Sequence, residues 1–365
     1  MSSGKRIIIG IIVSLFVIIT AAALGSSNIS LGETFNIILH KVFGLPLSGN
    51  IEAQNVSIVW LLRLPRVLLA FLIGGALAIS GAVCQSILRN PLASPYILGV
   101  SSGASLGAGI IIISGITLPF LGGFSMPLTG FVFGLVTVFF VASFSSRIDK
   151  SMSNNTIILC GMVLSLFLNA LLTTISAVFS DDLRRIVLWQ MGSFAMRGWS
   201  YVGIFLPFLI IGLIGIFLYT KEMDILSFGD EQAKSAGVET SALRKKLLAL
   251  CAVLTGASVA LSGVIGFVDL IAPHAARRII GSRHKHLIPM SFIIGGSLMV
   301  CADLTARMVI QHSELPVGAV TALIGAPFFA WVYFNKRRGI SDKRISRGDT
   351  ETQRTQRKKN RNEVC

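Results

Sequence analysis

Only a handful of side chains in this chain are equipped for acid–base or nucleophilic work. Asp269 and His274 flank the Ile271-Ala272-Pro273 break, as an acid and base in an intramembrane hydrolase would. No HExxH pair accompanies them, so the hydrolase reading is weak and His274 reads as a satisfied polar group near a membrane face. Asp303 and Arg307 stand four apart, in the order that favours a same-face helix pair. Glu314 precedes Leu315-Pro316, a helix start in which the proline takes the first turn and the acid caps the positive end. The chain contains no GxxxxGK(S/T) phosphate loop, so a nucleotide that drives this protein is bound by another subunit. Cys84, Cys160, Cys251 and Cys301 lie in apolar stretches without CxxC spacing, and Cys365 is the last residue. They read as small buried hydrophobes rather than ligands.

These residues are carried by a chain that is 53% hydrophobic and 13% charged, which excludes the soluble globular and disordered classes for its bulk. About ten apolar stretches of ~20 residues each can be placed between Ile7 and Phe334, separated by short polar gaps. They run Ile7–Leu24, Val67–Ile87, Tyr96–Ile116, Phe124–Phe144, Ile157–Val178, Tyr201–Tyr219, Leu247–Val264, a short Phe267–Ile280, Leu287–Cys301 continuing toward Arg307, and Val317–Phe334. The expected fold is all-α: a polytopic membrane protein with about ten transmembrane helices. Small residues at Gly74, Gly75, Ala78, Gly81 and at Gly99, Gly103, Gly107 have the spacing that lets helices approach in lipid. Asn28 to Trp60 is a polar stretch with a helix expected around Leu31 to Phe43.

The net charge of +15 comes from Lys and Arg interleaved with the spans, which argues for orientation rather than nucleic-acid binding. The gaps on the Met1 side hold most of them, including Arg89, Lys150, Lys221, Arg244, Lys245, Lys246 and Arg283. The opposite gaps hold few, among them Arg63, Arg66, Arg184, Arg185, Arg197 and Arg307. The positive-inside bias therefore places both termini in the cytoplasm of a multi-pass protein of the cell membrane. Residues 1–338 form the membrane domain. Residues 339–365, rich in Lys, Arg, Ser, Thr, Gln and Asn, are expected to be a disordered basic cytoplasmic tail that lies against anionic lipid.

The most telling gap is Lys221 to Lys246, the longest on the cytoplasmic side. Its Glu231-Gln232-Ala233-Lys234-Ser235-Ala236-Gly237 run reads as a short polar helix with a glycine stop, placed where a soluble partner can push on the membrane domain. A proton-coupled carrier would instead need a titratable residue near the midplane, for which Asp269 and Asp303 are the candidates. A scaffold protein would need no such segment.

Several ordered blocks together resemble the FecCD family, the membrane permeases of ABC importers for iron chelates, haem and cobalamin. They are Leu62-Arg63-Leu64-Pro65-Arg66, Gly75 to Ala82, Asn90-Pro91-Leu92-Ala93-Ser94-Pro95 and Leu98 to Gly103, followed by Ser262-Gly263 and Gly266-Phe267-Val268. Further on come Ala272-Pro273-His274 with Arg277, Ala302-Asp303-Leu304 with Arg307, and Glu314 to Gly318 through Gly325-Ala326-Pro327. Asp269 departs from the pattern, since the family usually has glycine there, and its carboxylate must find a partner or water. The resemblance implies a cobalamin-importer-permease-like fold of ten spans that pairs with a second permease subunit and works with two ABC ATPase subunits and an extracytoplasmic substrate-binding protein. It implies no catalytic residue, metal or cofactor of the chain's own.

On that likeness Arg63, Arg66 and Arg307 match outward arginines that dock the binding protein. Leu226, Gly229, Glu231, Ala233 and Gly237 match the ATPase-coupling segment, for which Leu226 to Gly237 offers one stiff short helix. Asn90, Leu92, Asn154 and Asn155 match a cytoplasmic gate. The fifth span, apolar with Asn169, Thr173 and Thr174, suits a weakly adhesive path for a bulky cargo. A ferric siderophore is the expected cargo, with haem and cobalamin as alternatives.

Overall fold

In a bilayer core every backbone N–H and C=O has to be paired within the protein, so long apolar runs become helices. The computed structural model describes residues 2–25, 27, 29–47, 51–116, 122–310 and 313–330. Cα proximity divides the chain into Met1–Ala322 and Leu323–Cys365. Helices follow in the order α1 Ser3–Ala23, α2 Leu31–Phe43, α3 Ala53–Ser57, α4 Leu64–Ile87, α5 Val100–Ser114, α6 Ser125–Ile148, α7 Asn154–Val178, α8 Leu183–Gln190 and α9 Trp199–Leu218. After these come α10 Thr220–Leu226, α11 Asp230–Ser235, α12 Thr240–Ser262, α13 Val268–Ile280 and α14 His284–Met308, and then α15 Val317–Ala330. No strand occurs among the described residues. In the second unit the described residues 323–330 are helical; the expected tail, 339–365, lies outside the described residues.

Each of the ten apolar stretches is recovered in order as α1, α4, α5, α6, α7, α9, α12, α13, α14 and α15. Among the described residues, seven helical segments are long and apolar enough to cross a membrane, one of them running without interruption from Ala53 to Ile87. A helix rises 1.5 Å per residue, so α13, with 13 residues, reaches only about 20 Å and cannot cross a ~30 Å core alone. The expected span Tyr96–Ile116 is shortened because Pro95 to Leu98 form a 3-10 turn that ends on Gly99 in a left-handed conformation.

The α3–α4 segment carries a π-helical stretch over Ile58–Arg63. Pro65 has no N–H to donate, and its ring crowds the carbonyl four residues back. Helix α4 is the centre of the bundle, with nearly every residue from Ile73 to Ile87 buried. Its small face lets neighbours in: a Cβ at Gly74 would collide with Gly295 and Met299 on α14, and one at Gly81 with the Asp269 backbone on α13. The Phe71 and Phe292 rings meet edge to face across the same α4–α14 seam, 5.5 Å between centroids. Gly103 and Gly107 do the same for α5 against Thr137 and Phe133 of α6. The expected packing role of both glycine runs is thus met by backbone approach.

Helix α2 forms with the bounds expected from the sequence. Ser30 and Glu33 close a capping box, Gly44 ends the helix at φ +69°, Thr34 and Ile37 are buried, and Leu31, Phe35, Val42 and Phe43 are exposed.

Candidate functional site

Helix α4 has 24 residues, about 36 Å of rise, and a charged cluster sits at each of its ends. At the Arg63 end, Arg66 is held by two carboxylates. Its Nε and Nη2 donate to Asp303 of α14 at 3.1 and 2.8 Å, and its Nη1 and Nη2 donate to Glu314 at 2.7 and 3.0 Å. Asp303 also faces Arg307 one turn on, Nε to Oδ2 3.3 Å, the helix pair the spacing suggested. Arg307 donates in addition to the Ala21 carbonyl of α1, and Arg63 donates to the carbonyls of Ala23 and Ser27. Three guanidinium charges thus face two carboxylates, leaving one positive charge in excess.

Two expectations are corrected here. The arginines were expected to face outward, but Arg63 and Arg66 are only 7% and 9% exposed and are already engaged within the chain. Glu314 was expected to cap the next helix; its carboxylate instead clamps Arg66. A cluster of guanidinium groups at the edge of a bilayer needs anions close by, and Asp303 and Glu314 are the acids the fold brings there. The hydrogen bonds from Arg66 hold the Glu314 carboxyl below the ordinary carboxylate range.

At the opposite end lies the segment between α9 and α12. It was expected to be one stiff helix from Leu226 to Gly237, but it is two, α10 and α11, broken at Gly229, whose φ of +130° only glycine adopts readily. Leu226 and Ala233 are buried against the bundle, whereas Glu231, Gly237 and Phe228 are exposed, Phe228 by 79%. Two ties bind this corner to the core. Asp224 of α10 accepts from the backbone N–H of His284 at 2.9 Å and pairs with its ring Nδ1; the other ring nitrogen meets Ser86 Oγ of α4 at 2.6 Å. Both carboxylate oxygens of Asp230 of α11 accept from Nη2 of the fully buried Arg244 of α12, at 2.9 and 3.0 Å, while its Nη1 donates to the Met152 carbonyl ahead of α7.

Sequence reasoning did not single out Ser86, Asp224, Asp230, Arg244 or His284. Arg244 was read only as one of a run of orienting cations. The signal available was Asp230 at the first position of a polar helix, fourteen residues before an arginine inside an otherwise apolar face.

The four gate candidates do come together in part. Asn154, at the start of α7, donates to the Leu88 carbonyl at 2.8 Å, and Asn90 accepts from the Leu92 N–H at 2.9 Å. Leu92 and Asn155 are exposed. Asn169, Thr173 and Thr174 all lie on exposed positions of α7, the hydroxyls of Thr173 and Thr174 bonded back to the carbonyls four residues earlier. Asp269 is buried and its carboxylate accepts from the Ser94 hydroxyl. The partner demanded by a carboxylate at this position is Ser94.

Among the described residues, a helical bundle with seven segments long and apolar enough to cross a membrane is the build of an integral membrane protein. The chain belongs to the FecCD transport family, which it matches over residues 11–335, and it is an ABC importer permease of that family. It is 42% identical over 322 residues to the uncharacterized ABC transporter permease protein YvrB of Bacillus subtilis, covering 88% of this chain and 91% of that one. It is 36% identical over 339 residues to the hemin transport system permease protein HmuU of Yersinia pestis, covering 91% and 96%. A solved structure described as a metal-chelate type ABC transporter in an inward-facing conformation superposes with a TM-score of 0.78 at 29% identity, covering 91% of this chain and 99% of that one.

Proposed function

We propose that this permease carries a ferric siderophore inward across the cytoplasmic membrane, with both termini in the cytoplasm. It works as a pair with a second permease chain, identical or homologous. Separate ATPase subunits dock on the α10–α11 corner and supply the energy, and an extracytoplasmic binding protein delivers cargo at the Arg63, Arg66 and Arg307 end.

The observation that carries this reading is the α10–α11 corner. Exposed Glu231 and Phe228 stand on a corner whose other side is tied by Asp224–His284–Ser86 to α4 and α14 and by Asp230–Arg244 to α12. A push on that corner moves three spans together, which is what coupling to a soluble motor requires. The single positive charge in excess at the opposite end favours an acidic docking partner. A metal chelate is favoured as cargo because the solved relative is described as a metal-chelate type transporter; haem, for which the Yersinia pestis relative is named, and cobalamin are the alternatives. Asn169, Thr173 and Thr174 line the path in this reading, and Asn90, Leu92, Asn154 and Asn155 the cytoplasmic gate.

The test is uptake of radioiron-labelled ferric siderophore into proteoliposomes that hold the complete importer with its binding protein, with excess unlabelled hemin or cobalamin as competitor. Expected is ATP-dependent uptake that neither competitor suppresses. Suppression by one of them reassigns the cargo, and uptake without any ATPase subunit defeats the importer mechanism.

A further inference from the structure

Between α6 and α12 the surface opens into a groove of about 510 Å³ that the transport reading does not use. Its walls run from Leu135 to Ser146 on α6 and from Lys245 to Val253 on α12. At 1.5 Å per residue these walls are about 16 Å and 12 Å long, close to half of a ~30 Å hydrocarbon core. The groove therefore has the length of one leaflet's acyl layer. Its polarity is graded along that length. The middle of the bilayer end is formed by Leu135, Val138, Phe139 and Val253, whereas Ser143, Ser146 and the exposed Lys245 stand at the other end.

Charge at that end is predominantly positive. Arg147, on the last turn of α6, is exposed beside Ser146. Asp149, the nearest acid to Arg147 along the chain, keeps its charge but is turned into its own loop, where it accepts from the Ser151 and Ser153 N–H groups and the Ser151 hydroxyl. A second groove, between α6, α9 and α12, provides the contrast. It is about 300 Å³, lined by Phe124, Leu128, Phe131, Phe208 and their apolar neighbours, and none of its lining side chains is charged.

We infer that the α6–α12 groove is a binding site for one anionic glycerophospholipid, its acyl chain along Phe139 and Val253 and its phosphate at Lys245. A lysine ammonium near the surface of an anionic bilayer contributes about 1 kcal/mol, or about fivefold in affinity. The apolar walls bind chains of any phospholipid, so the headgroup preference rests on Lys245, which lines the groove where Arg147 does not. Seated there, the lipid bridges the helix that leads into the Asp149–Ser153 turn and the helix that carries Arg244, the anchor of the α11 corner.

The experiment is native mass spectrometry of the purified, delipidated full-length chain titrated with phosphatidylglycerol or with phosphatidylcholine of the same acyl chains. The wild type should retain one phosphatidylglycerol with about fivefold preference over phosphatidylcholine. Lys245→Gln should abolish the preference while leaving weak retention of both lipids; Val253→Trp, which fills the groove, should remove retention of both. Lys285→Gln, an exposed cation at the start of α14, should behave as wild type. Equal retention of the two lipids by the wild type, or a preference that survives both Lys245→Gln and Val253→Trp, overturns the site. Lys245 is exposed and its substitution leaves the buried ties intact, so loss of preference with unchanged elution on size exclusion separates a lost site from a misfolded chain.

Discussion

Asp303 carries more than its share of the charge at the Arg63 end, because one buried carboxylate faces both Arg66 and Arg307. Asp303→Asn leaves two guanidinium groups with Glu314 as their only remaining acid in the cluster, and removing one partner of a buried pair typically costs about 3–5 kcal/mol. A clear fall in the thermal midpoint in detergent is expected, larger than that of Glu314→Gln, whose side chain is 41% exposed. The pH dependence of the Glu314 contact follows from its depressed pKa. A carboxyl whose folded pKa lies below the unfolded value near 4.3 contributes fully above that value and loses the contribution as pH falls through the folded pKa. The stability difference between wild type and Glu314→Gln should therefore be constant from pH 8 to pH 5 and shrink below about pH 4. A difference that instead shrinks between pH 8 and pH 6 would assign the titration to another group.

At the scale of elements, the corner between α10 and α11 depends on Gly229 and on Arg244. A side chain at φ +130° is strained, typically by about 1–3 kcal/mol, so Gly229→Ala should displace α11 and lower uptake about tenfold or more with normal membrane levels. Arg244→Lys keeps the charge but loses the fork that holds Asp230 with one nitrogen and the Met152 carbonyl with the other. Coupling measured as ATP hydrolysed per cargo imported should worsen in Arg244→Lys while ATPase subunits still co-purify. If co-purification is lost and the ratio is unchanged for the remaining complexes, Arg244 builds the docking surface rather than transmitting its movement.

For the whole molecule, α7 is the span least buried within one chain, with Leu159, Met162, Val163, Leu166 and Phe167 exposed on it beside Asn169, Thr173 and Thr174. A polar stripe is costly against lipid and inexpensive against a partner chain or a hydrated path. In the proposed pair this face meets its counterpart. Thr173→Cys should give a dimer on oxidative cross-linking in membranes that retain uptake. Monomer alone under those conditions, in a chain reconstituted without a second kind of permease, places the partner contact on another face.

The sequence by itself determined the number, order and approximate limits of the apolar helices, because each is a long run whose backbone has no partner but itself in lipid. It also determined α2, whose capping box and glycine stop are local, and the packing role of Gly74, Gly103 and Gly107, whose spacing is visible on a single helix. Asp303 and Arg307 were legible as a pair for the same reason, being one turn apart. What lay beyond reach was the set of partners that meet across the bundle. Arg66 finds Glu314 across 248 positions of chain, Ser86 finds His284 across 198, and Asp269 finds Ser94 across 175. None of these encounters is encoded by a local period; each is fixed by which helices pack together. The tertiary structure alone therefore decided that the arginines are buried and clamped, that the polar segment bends at Gly229, and that its two halves are anchored to different spans. Local periodicity dictates where backbone hydrogen bonds go, but a buried charge is satisfied by whichever opposite charge the packing delivers.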